Sequence, residues 1–388
     1  MLDFIHQSPV KIIFGESNLF AVVEETRRFG ERVLLVLGGE SFRKNGHYEK
    51  LTTALLNADM EIYEMSGIRT PILSKVREGI ALCREKEIDV ILGIGGGTCM
   101  DMAKAIAFGV FREEDVWGYF TGEFQGEGLS HLPVGTIVTF PSSGSELDPD
   151  AQITNDETGE SMGLDCIFPD FAWLNPSFMM SISNENLVKG QITAFVQLSI
   201  GYLGLERSEV PERVSVALIK SILSNLRKSV EEPLNQEPRA NLMLASALTV
   251  SGMPTFGKDG EWAIYPLQAV MQNICQVPYT ISLAVLFPYW LDMVYGGQEI
   301  FKDYFVNVFD MEIAGKTDEQ ILHDGIKQIL ELYRSFGYPV NFKECSNRID
   351  EGRLKEMIEM IGPISSIYTE LTTEKIESMM IRSIKGKD

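Results

Sequence analysis

The sequence predicts an α/β domain with a Rossmann-like parallel sheet, followed by an all-α domain. In the first half of the chain, short β-rich apolar runs alternate with helical patterns, which is typical of a parallel sheet covered by helices. After residue 181 the strand signals fade and apolar residues recur at helical spacing. We therefore assign the two domains to residues 1–184 and 185–388.

Four segments of the first domain are predicted strands. The segment 32–37 is almost entirely apolar and ends at a glycine pair, as expected of a strand buried on both faces. Pro71 then opens a helix, because proline suits the first helical turn. The predicted strands are residues 10–15, 32–37, 89–94 and 135–140. Ligands of such sheets bind at the carboxyl ends of the strands.

One helix of the second domain carries clear boundary signals. Thr317 and Gln320 have the spacing of a capping box, and Gly337 and Pro339 follow the last apolar residues. The intervening apolar residues recur at helical spacing. We therefore predict a helix that begins after Thr317 and ends before Gly337.

Composition and charge narrow the class of protein. With 45% hydrophobic residues the chain can bury a large core, and its net charge of −21 argues against nucleic acid and anionic membranes as partners. The beginning of the sequence has no basic segment, so no signal peptide is expected. The five cysteines form no CxxC pair, which favours free thiols in a reducing compartment. We expect a cytoplasmic protein.

A run of three glycines is the most informative feature of the sequence. Gly95, Gly96, Gly97 and Thr98 lie between a predicted strand and a predicted helix. Without side chains the backbone can approach a ligand closely, and its N–H groups can bind an anion at the start of the helix. A pyrophosphate is the expected ligand, and a tight turn without any ligand is the alternative.

Polar residues after the turn favour the ligand. The segment is not a Walker loop, because no Gly-Lys-Ser/Thr follows, and it lacks the third glycine of the usual dinucleotide motif. However, Asp101 and Lys104 follow Thr98 and are one helical turn apart. We expect both side chains to reach a sugar and a phosphate.

The motif Gly-Gly-Gly-Thr-x-x-Asp-x-Ala-Lys at 95–104, joined to a helical half, resembles the iron-containing alcohol dehydrogenase family. Segments 38–46 and 139–146 look like its nucleotide loops, the first in the form of the butanol dehydrogenase branch. Segments 260–263 and 283–288 are similar to family motifs in the helical half. The resemblance implies the dehydroquinate synthase-like fold that this family shares.

The resemblance also implies a function: interconversion of a small alcohol with an aldehyde or ketone, using NAD or NADP. The expected dinucleotide-binding residues are Gly38, Gly39, Glu40, Ser41, Gly95, Gly96, Gly97, Thr98, Asp101, Thr139 and Ser142. A carboxylate at Glu40 would favour NAD if it bound the ribose hydroxyls, but it would have no effect if it pointed to solvent. The choice of dinucleotide stays open. Relatives imply a homodimer.

The residues implied to bind the family's metal are replaced. The family uses one Asp and three His, and the matching positions here are Thr193, Gln197, Tyr265 and Tyr279. A shift of the alignment cannot restore the ligands, because the chain has four histidines and none lies between residues 132 and 322. Neutral oxygen donors do not offset the charge of a divalent ion. We therefore expect a degenerate site and no metal.

Two hypotheses follow. In the first hypothesis, the chain is a metal-independent oxidoreductase, and a protein acid, Tyr265 or Tyr279, replaces the metal by supplying a proton to the carbonyl oxygen. Both tyrosines have an alternative role, which is simply to fill the space left by the ligands. The second hypothesis is a catalytically inactive dinucleotide-binding protein with a sensing or scaffolding role.

Overall fold

The protein forms two compact units in a computed structural model that describes residues 1–126, 128–345, 349, 351–361 and 364–386. One unit contains residues 6–184 and 225–251, and the other contains residues 1–5, 185–224 and 252–388. The two contiguous domains of the sequence analysis remain a prediction. They differ from these units in where residues 1–5 and 225–251 belong.

Strands and helices succeed one another up to residue 138, three further strands follow between residues 150 and 174, and the later elements are mainly helical. The strands are β1 (Lys11–Phe14), β2 (Arg32–Leu37), β3 (Glu61–Met65), β4 (Val90–Gly95), β5 (Val134–Val138), β6 (Asp150–Thr154), β7 (Ser161–Asp165), β8 (Phe171–Leu174), β9 (Ile364–Ser365) and β10 (Glu370–Leu371). The helices are α1 (Leu19–Arg27), α2 (Ser41–Lys44), α3 (His47–Asn57), α4 (Leu73–Lys86), α5 (Gly97–Gly109), α6 (Val116–Phe120), α7 (Pro176–Met179), α8 (Asn184–Tyr202), α9 (Glu209–Glu231), α10 (Gln236–Ala247), α11 (Ile264–Cys275), α12 (Tyr279–Val294), α13 (Glu299–Phe309), α14 (Asp318–Ser335), α15 (Glu351–Ile361) and α16 (Thr373–Lys385).

The first unit is built on a six-stranded sheet with the order β1-β8-β5-β4-β2-β3. All its strand pairs are parallel, which confirms the predicted architecture. The four predicted strands correspond to β1, β2, β4 and β5. Strands β3 and β8 were not predicted. Strand β3 carries Glu61 and Glu64 and is buried at one residue only, so it lacks the apolar signal of a central strand.

The central strand β2 is buried on both faces. Val33 and Leu35 pack into one core together with residues of α1 and α3. Leu34 and Val36 pack into a second core together with residues of α4 and α5. Because successive side chains of a strand point to opposite faces, a continuous apolar run serves both cores.

The segment 225–251 is attached to the sheet unit by a buried arginine. Arg239 on α10 is 2% exposed, and its guanidinium donates hydrogen bonds to the carbonyl oxygens of Met179 and Ile182. Met179 is the last residue of α7 and Ile182 lies in the segment between α7 and α8, so the arginine ties down the chain where this helix ends. This contact helps to explain why α10 groups with residues that precede it by about 60 positions.

The second unit is mainly helical, and its helix α12 is buried along most of its length. The capping box predicted for α14 is confirmed, since Thr317 and Gln320 exchange both hydrogen bonds. A short antiparallel pair, β9 and β10, departs from the predicted all-α composition. Among the described residues, no helix combines the length and the apolar character needed to span a bilayer.

Candidate functional site

The strand order of the first unit indicates a candidate ligand site at the carboxyl ends of its strands. From β2 the chain continues to β3 at the sheet edge, and it then returns to β4 on the other side of β2. Open parallel sheets bind ligands at the carboxyl ends of the strands where the strand order reverses in this way. The segments that follow β2 and β4 begin with Gly38 and Gly96, so both glycine-rich segments lie at this position.

The glycine turn forms the start of α5. Gly96 is the N-cap residue and Gly97 is the first helical residue, so the N-cap position has no side chain that could cap the helix. Gly96, Gly97 and Thr98 are all partly exposed. An uncapped helix start presents backbone N–H groups and a partial positive charge, which suits a phosphate.

The glycines of the turn also have a packing role. A Cβ atom on Gly95 would lie 2.6 Å from Cys99 Sγ, and one on Gly97 would lie 2.7 Å from Ser143 Oγ. Both distances are too short for real contacts. The tight-turn alternative of the sequence analysis therefore has a physical basis of its own, and glycine alone does not prove a ligand.

The second predicted nucleotide segment lies directly on the glycine turn. The backbone N–H groups of Thr139 and Phe140 donate to the carbonyl oxygen of Gly95, over 2.8 and 3.3 Å. Thr139 is partly exposed, whereas Ser142 is 7% exposed. The segment after β5 thus forms one wall beside the turn.

The first predicted nucleotide loop is joined to the same edge. The N–H of Gly38 donates to the carbonyl oxygen of Ile94 over 3.3 Å. Gly38 is partly exposed, and Gly39, Glu40 and Ser41 are exposed at the beginning of α2. The exposure of Glu40 is compatible with either role considered for it.

Lys104 is placed differently from the prediction, whereas the predicted role of Asp101 stays a prediction. The side chain of Lys104 is fully buried, so the expectation that it reaches a ligand phosphate is wrong. Its Nζ donates to Asp148 Oδ1 and to the carbonyl oxygen of Ser145, each over 3.0 Å. Asp101 keeps 17% of its side chain exposed and accepts a hydrogen bond of 2.6 Å from Ser145 Oγ.

Burial and charge oppose each other in this cluster. Burial raises the pKa of Asp101 to about 6, although the charge of Lys104 and the hydrogen bond from Ser145 act to lower it. Burial acts to lower the pKa of Lys104, but the charges of Asp148 and Asp101 outweigh it, and the pKa is raised. Lys104 therefore remains a cation. The contacts of Ser145 and Asp148 with α5 were not predicted, because only the tertiary fold brings these residues to the helix.

The four positions predicted to correspond to metal ligands lie on three helices of the second unit. Thr193 and Gln197 are one turn apart on α8, Tyr265 is in the first turn of α11, and Tyr279 is the first residue of α12. Gln197, Tyr265 and Tyr279 are partly exposed. Within the described residues, no group of three or more His, Cys, Asp or Glu side chains is arranged to hold a metal ion.

Thr193 links two of these helices. Its side chain is buried, and Thr193 Oγ1 lies 2.9 Å from the carbonyl oxygen of Lys189 and 3.3 Å from that of Thr280. The hydroxyl of Tyr338 also donates to the carbonyl oxygen of Thr280. The Thr193 hydroxyl thus donates its proton toward backbone acceptors of α8 and α12.

Sequence and structure comparisons agree on one family. Residues 9–176 match the iron-containing alcohol dehydrogenase family, and residues 188–373 match the C-terminal domain of the Fe-containing alcohol dehydrogenase family. The chain is 32% identical to the probable NADH-dependent butanol dehydrogenase 2 of Bacillus subtilis, over 94% of this chain and 93% of that protein. It is 31% identical to the NADH-dependent butanol dehydrogenase A of Clostridium acetobutylicum, over 89% of each chain.

A solved structure resembles the whole chain. The crystal structure of NADH-dependent butanol dehydrogenase A from Thermotoga maritima has a TM-score of 0.92 and 27% identity, and the match covers 99% of both chains. A further relative, the NADPH-dependent aldehyde reductase YqhD of Escherichia coli, is 24% identical over 89% of each chain. Relatives of both dinucleotide types are therefore similar to this chain.

Proposed function

This chain belongs to the iron-containing alcohol dehydrogenase family, and we propose that it is a nicotinamide dinucleotide-dependent alcohol/aldehyde oxidoreductase that works without a bound metal ion. One observation carries the proposal. The glycine turn opens α5 at the point where the strand order reverses, and both predicted nucleotide loops join it there. Such a place suits a pyrophosphate.

The proposed dinucleotide site uses backbone more than side chains. The amides at Gly96, Gly97 and Thr98 would bind the pyrophosphate, and Asp101 would face the nicotinamide ribose. Thr139 and Ser142, together with the loop Gly38–Ser41, would surround the adenosine part. The relatives include enzymes named as NADH-dependent and as NADPH-dependent, so the proposal covers either dinucleotide.

The residues at the family's ligand positions do not fit a divalent metal. Thr193, Gln197, Tyr265 and Tyr279 are neutral and include no imidazole or carboxylate. The Thr193 hydroxyl is also engaged with backbone carbonyls of α8 and α12. Divalent first-row metals in proteins are usually held by imidazole, thiolate or carboxylate ligands. The proposed reaction therefore contains no metal-dependent step.

A metal-free reduction needs a hydride and a proton. A bound reduced nicotinamide would supply the hydride for the carbonyl carbon. The carbonyl oxygen takes a proton, and we propose that the phenol of Tyr265 or Tyr279 donates it and recovers it from solvent. Both side chains are partly exposed, which allows this exchange. A free phenol has a pKa of about 10, so it is a weak acid near neutrality.

A second candidate is a dinucleotide-binding protein without turnover. The same donor set favours it, because loss of the family's Lewis acid removes the group that polarises a carbonyl. In this case the two tyrosines only fill space, and the protein senses or scaffolds. A cytoplasmic location is proposed for both candidates and agrees with the five free cysteines. A homodimer is proposed as well, through the sheet edge at β1.

The two candidate functions predict the same dinucleotide binding, but only the first predicts turnover of an aldehyde. We would titrate the full-length protein with NADH and NADPH, and then assay a panel of aldehydes with chelator, with Fe²⁺ and with Zn²⁺. Tyr265→Phe and Tyr279→Phe test the proton donor. Tyr119→Phe is the matched control, because it also removes one phenol, whose hydroxyl donates to Glu114 Oε2 in the sheet unit.

Each result supports one candidate. Turnover that survives chelator, falls in Tyr265→Phe or Tyr279→Phe and persists in Tyr119→Phe supports the metal-free enzyme. Binding without turnover under any metal supports the non-catalytic candidate. Activity that appears only with added metal contradicts the metal-free proposal, and a lack of binding to either dinucleotide contradicts both candidates.

A further inference from the structure

We propose that Lys104 is a positioning residue that holds the glycine turn and the loop after β5 in the arrangement that binds the dinucleotide, without touching the ligand itself. This inference rests on the proposed function, because it concerns the same site. It assigns a role to a buried cation that the sequence analysis interpreted as a ligand contact.

The Lys104 ammonium donates hydrogen bonds to several acceptors of a single loop. Its Nζ donates to the carbonyl oxygen of Ser145 over 3.0 Å, to Asp148 Oδ1 over 3.0 Å and to Asp148 O over 3.3 Å. It also contacts the carbonyl oxygen of Asp150. All these acceptors lie between the end of β5 and the beginning of β6. One side chain of α5 therefore fixes a loop that has no regular structure of its own.

The same loop meets the glycine turn through other contacts. Ser145 Oγ donates to Asp101 Oδ1 over 2.6 Å, and Lys104 Nζ lies 3.8 Å from the same carboxylate oxygen. Ser143 Oγ occupies the space beside Gly97, where a Cβ would come within 2.7 Å. A movement of this loop would therefore displace both the helix start and the Asp101 carboxylate. A misplacement of about 1 Å in a binding site can cost about 100-fold in rate.

Lys104 also sets the charge of the cluster. Asp101 interacts with a small group of charged or titratable side chains: Lys104, Asp148, Asp150, Cys99 and Cys166. Without the cation, the buried carboxylates would repel each other and take up protons. Loss of Lys104 is therefore expected to raise the pKa of Asp101 further.

A second buried lysine provides a matched control. The Lys258 side chain is also fully buried, and its Nζ donates to the carbonyl oxygen of Tyr202 and to Glu212 Oε1. Lys258 and both of its acceptors belong to the other compact unit. Lys258→Met therefore removes a buried ammonium in the same way, but leaves the loop after β5 intact.

The experiment compares Lys104→Met, Ser145→Ala and Lys258→Met in the full-length protein. NADH and NADPH affinities are measured by titration between about pH 5 and pH 9, with circular dichroism as the check on folding. We expect Lys104→Met to weaken binding of the preferred dinucleotide by about 10-fold or more, and Ser145→Ala by a smaller factor. Lys258→Met should bind like the wild type.

The pH profile separates positioning from general destabilisation. The inflection that belongs to Asp101 should move to higher pH in Lys104→Met and stay in place in Lys258→Met. If Lys104→Met does not fold, Ser145→Ala decides, because it removes only the hydroxyl that donates to Asp101.

Three outcomes overturn the inference. Unchanged affinity in a folded Lys104→Met variant refutes it and leaves the proposed function standing. So does an equal loss of affinity in Lys258→Met, or wild-type affinity in Ser145→Ala when Lys104→Met is unfolded. If the wild type binds neither NADH nor NADPH, the proposed function fails first, and the inference falls with it.

Discussion

Gly97→Ala tests whether the glycine turn is limited by space. The added Cβ would lie 2.7 Å from Ser143 Oγ, whereas the next atoms, Ser143 Cβ and Ser145 Cβ, are at ordinary distances of 3.7 and 3.8 Å. Because ordinary contacts begin near 3.4 Å, the hydroxyl or the turn must move by about 0.7 Å. One atom is therefore responsible for almost the whole clash.

The expected cost follows from two opposing terms. Overpacking of this kind costs about 1–3 kcal/mol, and replacement of glycine by alanine at a helical position without positive φ returns about 0.5–1 kcal/mol. We expect Gly97→Ala to lower the free energy of unfolding by about 1–2 kcal/mol. Dinucleotide affinity should fall as well, since the turn and the loop after β5 can no longer approach each other.

The assay is a double-mutant cycle with Ser143→Ala. Urea unfolding and NADH titration are measured for the wild type, both single variants and Gly97→Ala/Ser143→Ala. Ser143→Ala removes the clashing hydroxyl and leaves Cβ contacts that are acceptable, so the double variant should regain most of the lost stability and affinity. A double variant no more stable than Gly97→Ala would refute this reasoning.

Three further predictions concern single side chains. Burial raises the pKa of Asp101 to about 6, so the ionisation of this carboxyl group opposes folding. As the pH rises from about 4 to about 6, the free energy of unfolding of the wild type should therefore fall relative to that of Asp101→Asn by up to about 3 kcal/mol. Urea unfolding of both proteins measures this difference. Arg239→Met leaves the carbonyls of Met179 and Ile182 without their buried donor and should destabilise the protein by about 2–4 kcal/mol; limited proteolysis at α10 should accelerate, and unchanged cleavage would contradict the attachment. Thr317→Ala removes the capping box of α14 and should cost about 1 kcal/mol, measured by thermal unfolding against Thr317→Ser.

The sequence predicted those strands of the sheet that are buried over a continuous run of residues. The run 32–37 became β2 because its alternate residues serve two cores, so every position had to be apolar. Strand β3 was missed because it lies at the sheet edge, where Glu61 and Glu64 are tolerated. Hydrophobic periodicity reports burial, and an edge strand has little of it.

The candidate site was predicted in part. Its glycines are neighbours in the sequence, whereas the residues that contact α5 come from a distant part of the chain. Gly96 and Gly97 lie at the start of α5, as the strand-to-helix pattern implies. Spacing on the helix placed Asp101 and Lys104 on one side, but gave no information on which loop would cover that side. The loop that does so begins about 40 residues later in the chain.

By itself, the sequence determined four strands of the sheet, the glycine turn, the family resemblance and the absence of histidine between residues 132 and 322. These properties depend on residue identity and on short-range periodicity. The tertiary structure alone decided that Lys104 is a buried structural cation and that Ser145 and Asp148 are its partners. The physical reason is that burial opposes the charge of a lysine, and only the acceptors that folding brings around its ammonium group allow it to stay charged in a core.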